Sequence, residues 1–247
     1  MSQKLKTRGF RTPTYLFMAS EVRSGSTYVA ELISYSLNAS FGLEAWDLTK
    51  ELLRELDDHS SPADVGTRVS SLWLSPENLR SSKVMCSQLS ILTRSARRNL
   101  AVQQLVFGED ARWIVVRRRN KIRQAVSLAT ARKSGVFHSY CEDVGIAPLE
   151  VSLAEVESAL RAVILSDEYL RLFSSVPENC AEVFYEDVLA DPIESIRAAL
   201  DKIGVLPEAG QLIAGEVKLS RDRQAEKADL ELAFGHWLLE NHHRTLA

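Results

Sequence analysis

The chain has 247 residues, 45% hydrophobic and 26% charged, with a formal net charge of −3; that is enough apolar material for the core of one large α/β domain, and the acidic balance argues against a general nucleic-acid binder. No apolar run approaches the roughly 20 residues of a membrane span, and the basic stretch from Met1 to Arg11 has no apolar core behind it long enough for a signal peptide, so a cytoplasmic protein without a membrane span is expected. Cys86, Cys141 and Cys180 stand far apart without metal-ligand spacing, so reduced thiols and no metal site are expected.

The first predicted element is a buried strand, Tyr15 to Ala19, a short apolar run set off by Pro13. Tyr28, Val29, Leu32 and Ile33 then recur at helical spacing as far as Leu37. Between them lies Arg23-Ser24-Gly25-Ser26-Thr27, a hydroxyl-rich turn with one cation. A strand that runs through such a turn into a helix makes an anion site, because the first-turn N–H groups lack intrahelical partners and the helix dipole favours negative charge there. Gly25 lets the backbone approach the anion, and the hydroxyls and Arg23 add donors. A second reading fits the same residues: a helix start capped by Ser24 or Ser26, with no ligand. The turn is not a nucleoside-triphosphate loop, since alignment on Gly25 puts Ser20 at the first Gly and Ser26 at the required Lys.

Residues 38–47 form a loop carrying Glu44 and Trp46, Thr49 to Leu56 is a short helix, and Asp57 to Pro76 is a polar excursion. Ser82 to Leu89 reads as a short strand entering a loop, and Arg94 to Phe107 as a helix stopped near Gly108. Trp113 to Val116 is β-rich enough for a parallel strand covered on both faces, and it leads directly into Arg117-Arg-Arg-Asn-Lys-Ile-Arg123. The next helix turns Ile122, Ala125, Val126 and Ala129 inward and ends near Gly135. A long helix from about Leu149 to Phe173 and a strand from Ala181 to Tyr185 follow; Asp191 and Pro192 then cap a helix with Ile196, Ala199, Leu200 and Ile203 on its inner face. The tail, Lys218 to Ala247, is charged and helical after Asp229. Alternation of strands and helices predicts a single α/β domain over residues 1–247, with a mostly parallel central sheet flanked by helices, a core at about 14–205 and a helical tail at about 218–247.

Two strand-to-helix turns, each with Arg and hydroxyls, suit a ligand with two separated anionic groups, and Arg119 and Ser127 are eight residues apart in the second. This pattern resembles the sulfotransferases that use 3′-phosphoadenosine 5′-phosphosulfate (PAPS), with their P-loop-like fold. The closer resemblance is to the bacterial trehalose 2-sulfotransferase family. Its features recur in order as Arg23-Ser-Gly-Ser-Thr27, Lys83-Val-Met, the run from Arg117 to Ser127, Gly135-Val-Phe-His138 and Tyr185-Glu-Asp-Val, with a weaker match at Arg223-Gln224. Two departures fall where the acceptor is expected: the aromatic beside Glu44 is displaced to Trp46, and Cys86 replaces an aromatic after Lys-Val-Met.

The resemblance implies a sulfuryl transfer from PAPS to a hydroxyl of a carbohydrate or glycoconjugate, with 3′,5′-adenosine bisphosphate as product. It implies that Arg23 and residues Ser24, Gly25, Ser26 and Thr27 hold the 5′-phosphosulfate. Arg119 and Ser127, with Arg223 in the late basic segment, would hold the rest of the cofactor, the first two at its 3′-phosphate. Glu44 is the implied base, His138 the alternative one, and a homodimer the implied assembly. Two other classes stay open on the residues alone: an NTP-dependent kinase-like phosphotransferase, and a noncatalytic nucleotide- or anion-binding module using the Arg cluster. The absent Walker Lys counts against the first, and the acidic balance against the second.

Overall fold

The computed structural model describes residues 14–37, 79–137, 150–205 and 224–245. Strand β1 (Thr14–Ser20) takes a central place because its residues can be covered on both faces: Leu16 and Met18 are buried in one hydrophobic cluster, and Phe17 and Ala19 in another. Period-two alternation with apolar residues on both sides is what a parallel strand between two helix layers requires. Beside it lie β2 (Leu79–Met85), β3 (Ala111–Arg117) and β4 (Cys180–Phe184). The described residues form a four-stranded sheet in the order β2-β1-β3-β4, with every pairing parallel. Ser20 pairs with both Met85 and Val116, so the carboxyl ends of β1, β2 and β3 are level.

One face is covered by α1 (Ser26–Leu37), α6 (Tyr185–Ala190) and α7 (Pro192–Lys202), which bring Ile33, Val188 and Leu200 onto Leu16, Ile114 and Val183. The other face is covered by α2 (Cys86–Arg98), α3 (Leu100–Phe107) and the end of α5 (Leu153–Ser174). Trp113 is the centre of that layer. It stacks on Phe17 at 4.6 Å, meets Phe173 edge-on at 4.7 Å, and donates its indole N–H to the Val106 carbonyl at 2.8 Å. A third cluster joins α4 (Lys121–Ser134), α5 and α8 (Gln224–Thr245) through Val126, Val163 and Phe234. No helix among the described residues is long and apolar enough to cross a membrane.

Two elements start earlier than their sequence suggests, β2 at Leu79 and α8 at Gln224, and three junctions differ from the sequence expectations. The strand at Lys83 ends at Met85, and α2 starts at once where a loop was expected, because the Gln88 side chain turns back to accept from the Met85 N–H at 2.6 Å. The expected helix from Arg94 to Phe107 is two helices broken at Asn99, whose side-chain oxygen accepts from the Ala101 and Val102 amides and so caps the second. Tyr185 opens α6 instead of closing β4. Asp191 caps α7 with Pro192 in its first turn, as its sequence predicts. The predicted helix from Thr49 to Leu56 lies outside the described residues.

The sheet order places β2 and β3 on opposite sides of β1, so the direction of winding reverses between β1 and β3. In open α/β sheets ligands bind at such a reversal, outside the carboxyl ends of the strands. Both Arg-bearing turns emerge there.

Candidate active site

The turn after β1 is tightly wound. Arg23 has φ 61° and Gly25 φ 87°, two left-handed residues around Ser24, whose N–H donates to the Glu21 carbonyl at 3.3 Å. A left-handed Arg stores strain that persists only where its surroundings hold it. Here they do: Arg118 donates through Nη1 to the Arg23 carbonyl at 3.0 Å, and Gln124 donates to the Val22 carbonyl at 3.0 Å. At Gly25 the ring of Tyr185 comes so close that a Cβ would lie 2.1 Å from its Cδ2. Tyr185 also meets Tyr28 edge-on at 6.2 Å and carries the Arg118 guanidinium 5.2 Å above its ring. The first intrahelical bond runs from the Val29 N–H to the Gly25 carbonyl, so the amides before Val29 at the mouth of α1 have no intrahelical acceptor.

Besides Arg118, two cations converge on this turn. Arg23 itself folds over the loop, donating from Nε to Ser127 Oγ at 2.9 Å and from Nη1 to the Phe137 carbonyl at 3.0 Å. Lys83, beside β1 on β2, donates to Thr27 Oγ1 at 3.2 Å. Burial, and then the charge of Arg23, lower the Lys83 pKa to about 8; burial also lowers that of Arg23. Among the described residues neither cation has an acidic partner. The Ser24 hydroxyl is buried there, 1% exposed, without a hydrogen-bond partner. Two partly desolvated cations, an orphaned hydroxyl and a helix N-terminus are complementary to a multiply charged anion.

The three consecutive arginines at the end of β3 separate. Arg117 follows the strand's alternation to the α5 face and forks onto Asp167 at 2.8 and 3.0 Å, with Glu182 at 3.2 Å. Lys121 reaches the same Asp167 at 2.6 Å. Arg118 goes the other way, to the β1 turn. Arg119 emerges at the surface, its side chain 52% exposed, and pairs through both guanidinium nitrogens with Asp187 at 2.5 and 2.7 Å above the Phe184 ring, 4.2 Å away. The Arg119 and Asn120 amides at the entrance to α4 both donate to Glu186.

The structure thus brings together Arg23, Ser24, Gly25, Ser26, Thr27 and Ser127, with Arg23 as the partner of Ser127. Arg119 stands apart from that contact, held by Asp187. Glu44, His138 and Arg223 lie outside the described residues. Sequence reasoning took Lys83 only as part of the Lys83-Val-Met feature, read Tyr185-Glu186-Asp187 as pinning the following helix, and did not single out Arg118. A lone Lys in a strand that pairs with apolar β1, in register with Met18, was the available signal for the first. Nothing local marked which of three adjacent arginines would turn toward the loop.

The Stf0 sulphotransferase family model matches residues 64–233, and the chain belongs to that family. No curated protein matches. Among solved structures, the chain is similar to the sulfotransferase domain of the Synechococcus PCC 7002 olefin synthase, at 18% identity and TM-score 0.47, covering 91% of this chain and 95% of that one. It is also similar to mouse sulfotransferase SULT7A1 complexed with PAP, at 14% identity and TM-score 0.44, covering 90% of this chain. A third likeness is to retinol dehydratase in complex with androsterone and inactive cofactor PAP, at 15% identity and TM-score 0.43, covering 81% of this chain. The chain spans 65% of the mouse protein and 62% of retinol dehydratase.

Proposed function

We propose that this chain transfers a sulfuryl group from PAPS to a hydroxyl of a carbohydrate or glycoconjugate, by in-line displacement. Membership of the Stf0 sulphotransferase family supports sulfuryl transfer. The observation that carries the donor assignment is the convergence of Arg23, Lys83 and the unpartnered Ser24 hydroxyl on the mouth of α1. These residues fit a phosphosulfate: they offer positive charge and donors without a built-in carboxylate.

PAPS would supply the sulfuryl group, and the 3′,5′-adenosine bisphosphate that departs would take the negative charge on the 5′-phosphate oxygen that had bridged to sulfur. Arg23 and the amides of residues 24–27 hold the 5′-phosphosulfate end, and the Lys83 ammonium faces the same charge from β2. Preorganised donors in a partly dry site stabilise developing charge without reorganising as it forms. Lys83 is mostly protonated at pH 7, because its pKa near 8 lies above that pH, and an anion at its side raises that value further. Arg119 and Ser127 hold the 3′-phosphate, with Arg223 contributing from the tail segment, and this gives discrimination against ATP. Ser127 does so next to Arg23, which ties the two anion sites to each other. Glu44 takes the proton from the acceptor hydroxyl, with His138 as the other candidate, and Trp46 lines the sugar. The finer likeness to trehalose 2-sulfotransferases supports the carbohydrate acceptor and the homodimer, the alternation of strands and helices supports the one-domain reading, and the scattered cysteines support a cytoplasmic setting.

The test is transfer of radiolabelled sulfuryl from PAPS to a panel of sugars in EDTA. Transfer is expected with wild type, with a loss of about 100-fold or more in kcat on Arg23→Ala. Glu44→Gln is expected to keep donor binding and lose about 100- to 10,000-fold in turnover. Phosphoryl transfer from magnesium ATP in place of sulfuryl transfer would overturn the assignment.

A further inference from the structure

The second anion site, which rests on the proposed PAPS reading, holds two acidic side chains of the chain's own. Glu186 accepts the Arg119 and Asn120 amides, and Asp187 takes the Arg119 guanidinium fork at 2.5 and 2.7 Å. The two carboxylates differ in how firmly they are held. Glu186 is partly buried beneath Arg118 and fixes two backbone amides, which makes it a structural pin for the entrance to α4. Asp187 is half-exposed, and among the described residues its side chain has one partner; exposed ion pairs contribute little to folding. The neighbouring Arg117–Asp167 pair is the opposite case: its side chains are 11% and 16% exposed, and Lys121 reinforces it.

A carboxylate gripped by both terminal nitrogens of a guanidinium occupies the same donor fork that a phosphate would use. The two anions cannot take that fork together without like-charge repulsion at close range. The aromatic face of Phe184 under Arg119, 4.2 Å away, does not depend on Asp187 and keeps the guanidinium seated while its partner changes.

We propose that Asp187 sets the affinity of this site: it occupies Arg119 in place of a ligand phosphate and yields it when that phosphate binds. The pair keeps the exposed guanidinium from capturing polyanions in general, and it lowers the affinity for the cofactor's 3′-phosphate below what Arg119 alone would give. Product release is eased by the same competition.

The test is calorimetric binding of 3′,5′-adenosine bisphosphate and of AMP to the full-length chain as wild type, Asp187→Asn and Asp187→Ala. Removing one close, partly screened negative charge is expected to tighten bisphosphate binding about five- to tenfold in both variants. AMP has no 3′-phosphate, and its affinity is expected to stay unchanged, which a general structural disturbance would not allow. Unchanged or weaker bisphosphate binding in the variants, with wild type still preferring the bisphosphate over AMP, overturns the role of Asp187 and leaves the PAPS reading standing. Equal binding of bisphosphate and AMP by wild type overturns both.

Discussion

Lys83 has burial and the Arg23 charge working against its ammonium, and its pKa falls from 10.5 to about 8. The unfolded chain therefore holds that proton more tightly, so the charged side chain costs stability in full below about pH 8, and the cost is relieved as pH rises toward 10.5. At about 1.4 kcal/mol per pH unit, the fall corresponds to about 3 kcal/mol at pH 7. Lys83→Met is expected to raise stability in urea by about 2 kcal/mol at pH 7 while lowering sulfuryl transfer, with the stability gain shrinking between pH 8 and 10. A variant less stable than wild type at pH 7 would contradict this account of the site. Gly25 makes a second residue-scale prediction. A methyl there meets the Tyr185 ring at 2.1 Å with φ +87° already unfavourable, so Gly25→Ala is expected to cost about 2 to 4 kcal/mol in thermal or urea unfolding. Gly135 has φ +72° but open space, so Gly135→Ala is expected to cost only about 1 kcal/mol. Adding Tyr185→Ala to Gly25→Ala should recover part of the difference; equal losses at the two glycines would show that the ring contact is not what fixes the turn.

Among the elements, the link between the end of β3 and α5 is the one whose loss should be felt at a distance. Burial raises the Asp167 pKa, but hydrogen bonds and charge from Arg117 and Lys121 outweigh it and hold the carboxyl below the ordinary 3.8. Its contribution is therefore full above pH 3.8 and lost as pH falls through the lowered value. Asp167→Asn leaves two cations on a neutral amide and is expected to cost about 2 to 3 kcal/mol at pH 7, the difference closing in acid. Urea unfolding of the two proteins across pH 2 to 7 checks it; a difference that persists in acid would assign the loss to packing instead. The elements read best from the sequence were those with strong periodicity or an explicit cap. β1, β3 and α7 follow their apolar runs and the Asp191-Pro192 start. The junctions were harder. Asn99 splits what reads as one helix because its side chain outcompetes the backbone for two amides, and nothing in the apolar spacing on either side marks the break. Tyr185 reads as the end of a strand because it is aromatic, yet its contacts with Gly25 and Arg118 draw it into the next helix.

At the scale of the molecule, the parallel order β2-β1-β3-β4 sets both Arg-bearing turns at one edge, and the reversal of winding between β1 and β3 opens that edge to a ligand. The parallel sheet and the placing of both turns at its carboxyl edge were legible in the alternation of strands and helices; the strand order and the reversal of winding were not, because they depend on which strands pair. The Arg23–Ser127 contact was not, because it joins residues 104 positions apart, and sequence spacing pairs Ser127 with Arg119 instead. The most direct test of the central claim is calorimetric binding of 3′,5′-adenosine bisphosphate against ATP, each in EDTA and in magnesium. Tight binding of the bisphosphate that is indifferent to metal, with little affinity for ATP, is the predicted result. Preference for ATP with magnesium would contradict it and point to phosphoryl transfer.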